Sequence, residues 1–158
     1  MNDIDLVLDT LRRMGKSVAE AVQVKSSTMT GTELNAEDDY IPSFVSACRT
    51  KNMLERKAGL TDGFVCKSSA GRVVRLLQNY DSDIYFDEPE QLPAQWGFVW
   101  SNDPAKAKPF ISSSTSPYME GNCCTENGIA FRSKINYNVW PPSAYPQGWE
   151  QVTTEEEL

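Results

Sequence analysis

The chain of 158 residues contains no histidine. That removes the commonest general base, the commonest zinc ligand and every Ser-His or Cys-His nucleophile pair. Carboxylate chemistry remains open. Asp87, Glu88, Glu90 and Glu120 are the acids that a two-carboxylate glycosidase would draw on. Such an enzyme needs one acid in an apolar pocket and a cleft of some depth, which small modules seldom make. Four cysteines, Cys48, Cys66, Cys123 and Cys124, form no C-x-x-C pair, so a zinc knuckle is not expected. Neighbouring Cys123 and Cys124 would point to opposite faces of a strand. All four read as small core residues, with a disulfide of Cys66 to Cys123 or Cys124 as the alternative in an oxidising setting. No metal site, no cofactor and no catalysis are expected from this inventory.

Charge and length narrow the partners. Hydrophobic residues make up 40% and charged residues 23%, a globular composition. The net charge of −7 disfavours nucleic acid and anionic membrane, both of which need a basic surface. No apolar run reaches the roughly 20 residues of a membrane helix. The acidic start, Met1-Asn2-Asp3-Ile4-Asp5, lacks the basic-then-apolar order of a secretory signal, so none is expected.

The elements that would carry these residues fall into two textures. In residues 3–25, Ile4, Val7, Leu11, Met14, Val18 and Ala21 alternate spacings of three and four along one helical face. Gly15 interrupts them, and Ser17-Val18-Ala19-Glu20 resembles a capping box. One reading is two short helices broken at Gly15, which the cap signal favours. The other is one helix whose seam pairs with copies of itself. Ile4, Val7, Leu11, Met14 and Val18 are the candidate oligomerisation residues in either case. Thr30-Gly31-Thr32-Glu33 predicts a further cap and a short helix over 31–40, ended by Ile41-Pro42. From Asp62 onward, frequent aromatics, Pro, Gly and Ser with short apolar runs predict short strands joined by turns.

An internal repeat organises that second half. Cys66 to Tyr80 can be laid on Cys123 to Tyr137 without gaps. Cys66 then meets Cys123, Gly71 meets Gly128, Arg75 meets Arg132, and Asn79-Tyr80 meets Asn136-Tyr137. Each copy continues through a proline-containing loop to a tryptophan, Trp96 or Trp149, with valine three residues later. Ala70-Gly71 and Asn127-Gly128 suit two-residue hairpin turns. Alternation then predicts Val74 and Leu76 inside in one copy, and Ile129 and Phe131 in the other. Gly71, Trp96, Gly128, Phe131 and Trp149 are the expected structural core of the two copies.

The second copy is similar to the small chitin-binding modules of bacterial chitinases and cellulases, carbohydrate-binding families 5 and 12. Tyr118, Gly121-Asn122, Cys124, Asn127-Gly128, Phe131 and Trp149 fall where that family has an aromatic, Gly-Asp, a hydrophobic residue, Asn-Gly, an aromatic and a final Trp. The family's adjacent exposed aromatic pair is replaced by Arg132-Ser133-Lys134-Ile135-Asn136, so the resemblance does not carry crystalline chitin as ligand. The resemblance implies sugar stacking on aromatic faces. Tyr137, Trp140 and Tyr145 in the second copy, and Tyr80 and Tyr85 in the first, are the candidate carbohydrate-binding residues.

The whole arrangement also resembles small proteins encoded among phage and prophage tail genes of Gram-positive gut bacteria. Met29 to Glu33, Trp96-Gly97, Asp103 to Pro109 and Cys123 to Thr125 carry that likeness. It implies a mainly β chain of two small tandem antiparallel β modules behind a short α-helical segment. The expected boundaries are a helical assembly segment 1–42, a connector 43–60, modules 61–110 and 111–152, and an acidic tail 153–158. It further implies a non-catalytic tail fibre or baseplate protein in the virion, made in the bacterial cytoplasm. Its expected partners are other tail proteins, copies of itself (a trimer) and a bacterial surface glycan. The alternatives are a tail-assembly chaperone absent from the virion and a carboxylate-based cell-wall glycosidase.

Overall fold

A computed structural model describes residues 2–49, 63–78, 80, 84–85 and 87–153. Residues 50–60 of the expected connector, 154–158 of the acidic tail and the Cys48 side chain lie outside the described residues. An N-terminal helical region is followed by two sheets rich in antiparallel pairing, one of three strands and one of four.

Helix α1 (Asp3–Lys25) is continuous. Asn2 caps it, its side chain accepting the Asp5 N–H at 2.8 Å. The break expected at Gly15 does not occur. An interior glycine costs about 1 kcal/mol, and the uninterrupted helical spacing on both sides outweighs it. Thr30 caps α2 (Gly31–Ala36) with both arms of a capping box, Glu33 N–H to Thr30 Oγ1 and Thr30 N–H to Glu33 Oε1. The expected helix over 31–40 therefore ends early, at Ala36, and a 3-10 turn over Asp38–Tyr40 follows. The chain then enters α3 (Phe44–Arg49), which lies inside the expected connector.

The first sheet is a meander of β1 (Val65–Lys67), β2 (Val73–Leu76) and β3 (Trp96–Phe98). Both of its faces are covered, which is why Val73 and Val74 are consecutive and both buried. On one face, Cys66, Val74, Leu76, Trp96 and Phe98 pack with Phe44, Ala47, Phe64 and Tyr80. On the other, Val65 and Val73 pack with Val22, Leu34 and Ile41. The free edge of β1 is closed by local groups rather than by another strand. The Gln23 side chain donates to the Val65 carbonyl and accepts its N–H, and the Lys67 N–H donates to the Pro42 carbonyl. The expected assembly segment 1–42 is thus divided. Val22, Leu34 and Ile41 belong to the core of the first sheet, whereas the apolar residues of the earlier turns of α1 are exposed.

The second sheet runs β4 (Lys108–Pro109), β5 (Cys123–Glu126), β6 (Ile129–Ser133) and β7 (Trp149–Val152), with β4 parallel to β5 and the rest antiparallel. It therefore begins before residue 111, the boundary expected from sequence. Ile129 is a second correction. It sits at the hairpin tip opposite Glu126, beyond the core, and is exposed, while Phe131 is half-buried against Tyr118, Cys124 and Trp149.

The repeat is visible in the register, with one adjustment. Trp96 faces Leu76 and Trp149 faces Ser133, the positions matched by the gapless alignment. In the first strands the match slips by one. Val74 faces Cys66, whereas Phe131 faces Cys124 rather than Cys123. The loops explain the slip. Asn127 and Gly128, at φ 53° and 80°, form a two-residue turn. The first hairpin instead closes through Ser68 N–H to the Arg72 carbonyl, leaving Ser69, Ala70 and Gly71 as a three-residue loop with Gly71 at φ 85°. Its extra residue is a bulge that needs the left-handed conformation of glycine.

The two sheets meet through aromatic rings. Trp100 stacks on Phe98 (centroids 5.2 Å) and on Tyr118 (4.1 Å), and Tyr118 contacts Phe110 and Trp149. Ser116 fixes the stack, its carbonyl accepting Trp100 Nε1–H and its hydroxyl accepting the Phe98 N–H. Arg72 adds a polar tie, its guanidinium binding Glu90 at 3.0 Å and the Pro109 carbonyl at 2.7 Å. Trp100→Ala should lower the unfolding free energy by about 3 kcal/mol in urea denaturation, the range for truncating a packed aromatic. Trp100→Phe should cost less, because it keeps one ring in the stack while losing the bond to Ser116 and the area of the second ring.

Candidate ligand-binding site

The second hairpin builds the exposed aromatic surface. Its tip holds the following loop, because the Glu126 carboxylate accepts both the Ser143 N–H (3.0 Å) and the Ser143 hydroxyl (3.1 Å). The Pro141 carbonyl accepts the N–H groups of Ala144 and Tyr145, closing a tight turn. Trp149, buried in the sheet, donates its indole N–H to the Trp140 carbonyl at 2.8 Å. These bonds fix the backbone at Trp140 and leave its ring free to face outward. Trp140 and Tyr145 then meet with ring centroids 5.4 Å apart and planes inclined at 51°. They are 49% and 37% exposed. The Tyr145 ring rests on the Gly148 backbone, where a Cβ would come within 2.5 Å of Cδ1, so only glycine fits there.

Asn138 is the hub beneath this surface. It is fully buried and exchanges backbone bonds with Tyr118. Its side-chain amide donates to Ser133 Oγ and the Gly148 carbonyl, and its Oδ1 accepts the Trp140 N–H. Every polar atom of a buried Asn needs such a partner. Nothing in the sequence marked Asn138, since a buried amide differs from a surface one only by its surroundings.

Tyr137 is 70% exposed and lies in the left-handed region at φ 56°. A bulky side chain there is strained, and such strain concentrates at functional positions. Among the described residues its ring makes no contact with Trp140 or Tyr145, so it stands as a separate exposed aromatic three residues before the pair.

Among the described residues, the first sheet presents no matching pair of exposed rings in contact. Tyr80, a sequence candidate for sugar contact, is 6% exposed. Its hydroxyl accepts the Trp96 indole N–H at 3.0 Å, and its ring packs edge-on against Trp96. In the second copy the tryptophan N–H goes to a backbone carbonyl instead, which frees Tyr137, the residue aligned with Tyr80. Tyr85 is exposed and lies edge-on against Tyr80, 6.0 Å away. Trp96 is fully buried, and Gly71 and Gly128 occupy the turns already described.

The carboxylates are placed structurally. Glu90 binds Arg72 and the Ser68 hydroxyl, and Glu88 binds the Ser69 N–H and hydroxyl, so both brace the first hairpin loop. Asp87 and Glu120 are exposed. Among the described residues, no three His, Cys, Asp or Glu side chains cluster as metal ligands. Nor is any described helix long and apolar enough to cross a membrane. The helix candidates Ile4, Val7, Leu11, Met14 and Val18 are all exposed along α1.

Cys123 and Cys124 are buried thiols in no disulfide, so pairing of either with Cys66 is not formed. Burial, then the neighbouring Cys123 and Glu126, pushes the Cys124 thiol up to about 12. Burial also raises Cys123, against the lowering effect of Arg132, and raises the Tyr118 hydroxyl. No protein-family model, curated protein or solved structure matches this chain.

Two measurements follow from this geometry. The raised Cys124 pKa stabilises the fold while the thiol stays neutral. That contribution is whole below the ordinary value of 9.0 and is lost as pH rises toward about 12. Native Cys124 should therefore resist iodoacetamide at neutral pH, and the unfolding free energy should fall as pH climbs above 9.0. Replacing the strained tyrosine by a residue that tolerates left-handed backbone, Tyr137→Asn, should raise stability by about 0.5–1 kcal/mol in thermal or urea unfolding.

Proposed function

We propose that this protein is a non-catalytic component of a bacteriophage tail, in the fibre or baseplate, that binds a host-surface glycan through Trp140 and Tyr145. The observation that carries the reading is the exposed, tilted ring pair held on a braced loop. A tryptophan whose only role is packing is normally buried, whereas Trp140 is half-exposed. Here the surrounding hydrogen bonds fix the backbone while leaving the ring face to solvent. The C–H face of a pyranose packs on such a face, and the hydroxyls find partners among exposed polar groups at the rim. Ser143 and Gln147 lie on the same loop and are exposed. Tyr137, strained and exposed, is a separate aromatic three residues before the pair.

The sequence likeness to carbohydrate-binding families 5 and 12 supports the ligand class, and the likeness to phage tail-gene products supports the setting. The binding reading is also favoured over hydrolysis because Glu88 and Glu90, between β2 and β3, are engaged by the serines and Arg72 of the first hairpin. The test is a binding assay on purified wall polysaccharides and whole cells of Gram-positive bacteria, paired with mass spectrometry of purified virions. Wild-type protein should bind at least one wall glycan. Trp140→Ala should weaken binding about tenfold or more, the loss of one stacking contact, with little change in melting temperature because the Trp149 bond is to backbone. Absence of binding to every wall polysaccharide would overturn the glycan reading, and absence from the virion would favour an assembly role.

A further inference from the structure

We infer that α1 assembles three copies of this chain into a coiled coil, an inference independent of the glycan reading. With Ile4 placed at position a of a heptad, Leu11 and Val18 also fall at a, and Val7, Met14 and Ala21 at d. All six are exposed in the single chain. The helix is unbroken through Gly15, so the stripe runs continuously for three heptads, about 32 Å at the helical rise.

The charges show what covers it. Between Ile4 and Val24 the charged residues are Asp5, Asp9, Arg12, Arg13, Lys16 and Glu20, and each falls at b, c or f. Positions a, d, e and g carry no charge over that span. A chain of net charge −7 repels its copies, so a face free of charge is the one along which identical copies can close. The strict 3.5-residue period suits another helix with the same period, which a second copy supplies. Val22 and Gln23, which dock α1 on the first sheet, sit at e and f, leaving a and d clear.

The stoichiometry follows from the residue types. A parallel pair favours β-branched residues at a with leucine at d. Here Ile4 and Val18 at a are β-branched but Leu11 between them is not, d holds Val7, Met14 and Ala21 with no leucine, and Leu8 makes e apolar as well. This wider stripe suits three helices. Ile4, Val7, Leu8, Leu11, Met14 and Val18 are all exposed in the single chain, and association would take their apolar surface out of water. Three heptads are short for a coiled coil, but the last turns of α1 are already held by the sheet, so the costly helix nucleus is formed.

The test is light scattering coupled to size exclusion on the full chain at about 50 μM, a concentration at which mass action favours a specific oligomer. Wild type should show three times the 17.7 kDa chain mass. The double variant Leu11→Asp, Met14→Asp should show a single-chain mass, with tryptophan fluorescence of the sheets unchanged. Arg12→Ser, on the opposite face, should remain trimeric. A wild-type mass of one, two or four chains would overturn the inference. So would an oligomer that survives the double aspartate substitution.

Discussion

The stack of Trp100 on Tyr118, at 4.1 Å between ring centroids, is the contact on which the rest of this molecule depends. Neither sheet has a strand longer than five residues. Sheets this small bury too little surface to persist alone. Trp100 packs against the core of the first sheet and against Tyr118 and Trp149 of the second, so the two share one aromatic seam. Ser116 orients that seam from the linking loop, and Arg72 spans it with bonds to Glu90 and Pro109.

From that seam outward, the two halves diverge because of how each tryptophan satisfies its indole N–H. In the first sheet Trp96 uses the Tyr80 hydroxyl, and the tyrosine is drawn into the core. In the second, Trp149 uses the Trp140 carbonyl, and the loop is drawn down while its rings stay outside. One choice of hydrogen-bond acceptor thus separates a packed face from an exposed aromatic one. Asn138 and the Glu126–Ser143 clamp then stiffen the exposed version, so that under the proposed reading less entropy would be lost on binding.

The N-terminal region serves two ends at once. Its later part supplies Val22, Leu34 and Ile41 to one face of the first sheet, and Gln23 closes the edge of β1 with a side-chain amide standing in for a neighbouring strand. Its earlier part leaves the body with its apolar residues uncovered. The transition falls at Val22, where the same helix passes from outward-facing positions to the core.

Much of this was legible in the residues themselves. The alternating three- and four-residue spacing of 3–25, the Thr30–Glu33 cap and the Asn127-Gly128 turn are local signals, and local geometry sets their outcome. The repeat put Leu76 and Ser133 at equivalent positions, and in the structure each faces the tryptophan of its own copy. What sequence could not decide was non-local. Gly15 does not end the helix, because helix continuity exceeds the local cost of glycine. The first hairpin has three loop residues rather than two, because the Ser68–Arg72 bond fixes its register. Tyr80 and Tyr137 align in the repeat yet end with opposite exposure, because their fate rests on a tryptophan N–H far along the chain. Local propensity is written in neighbouring residues; burial and hydrogen-bond choice depend on groups that meet only after the chain has folded.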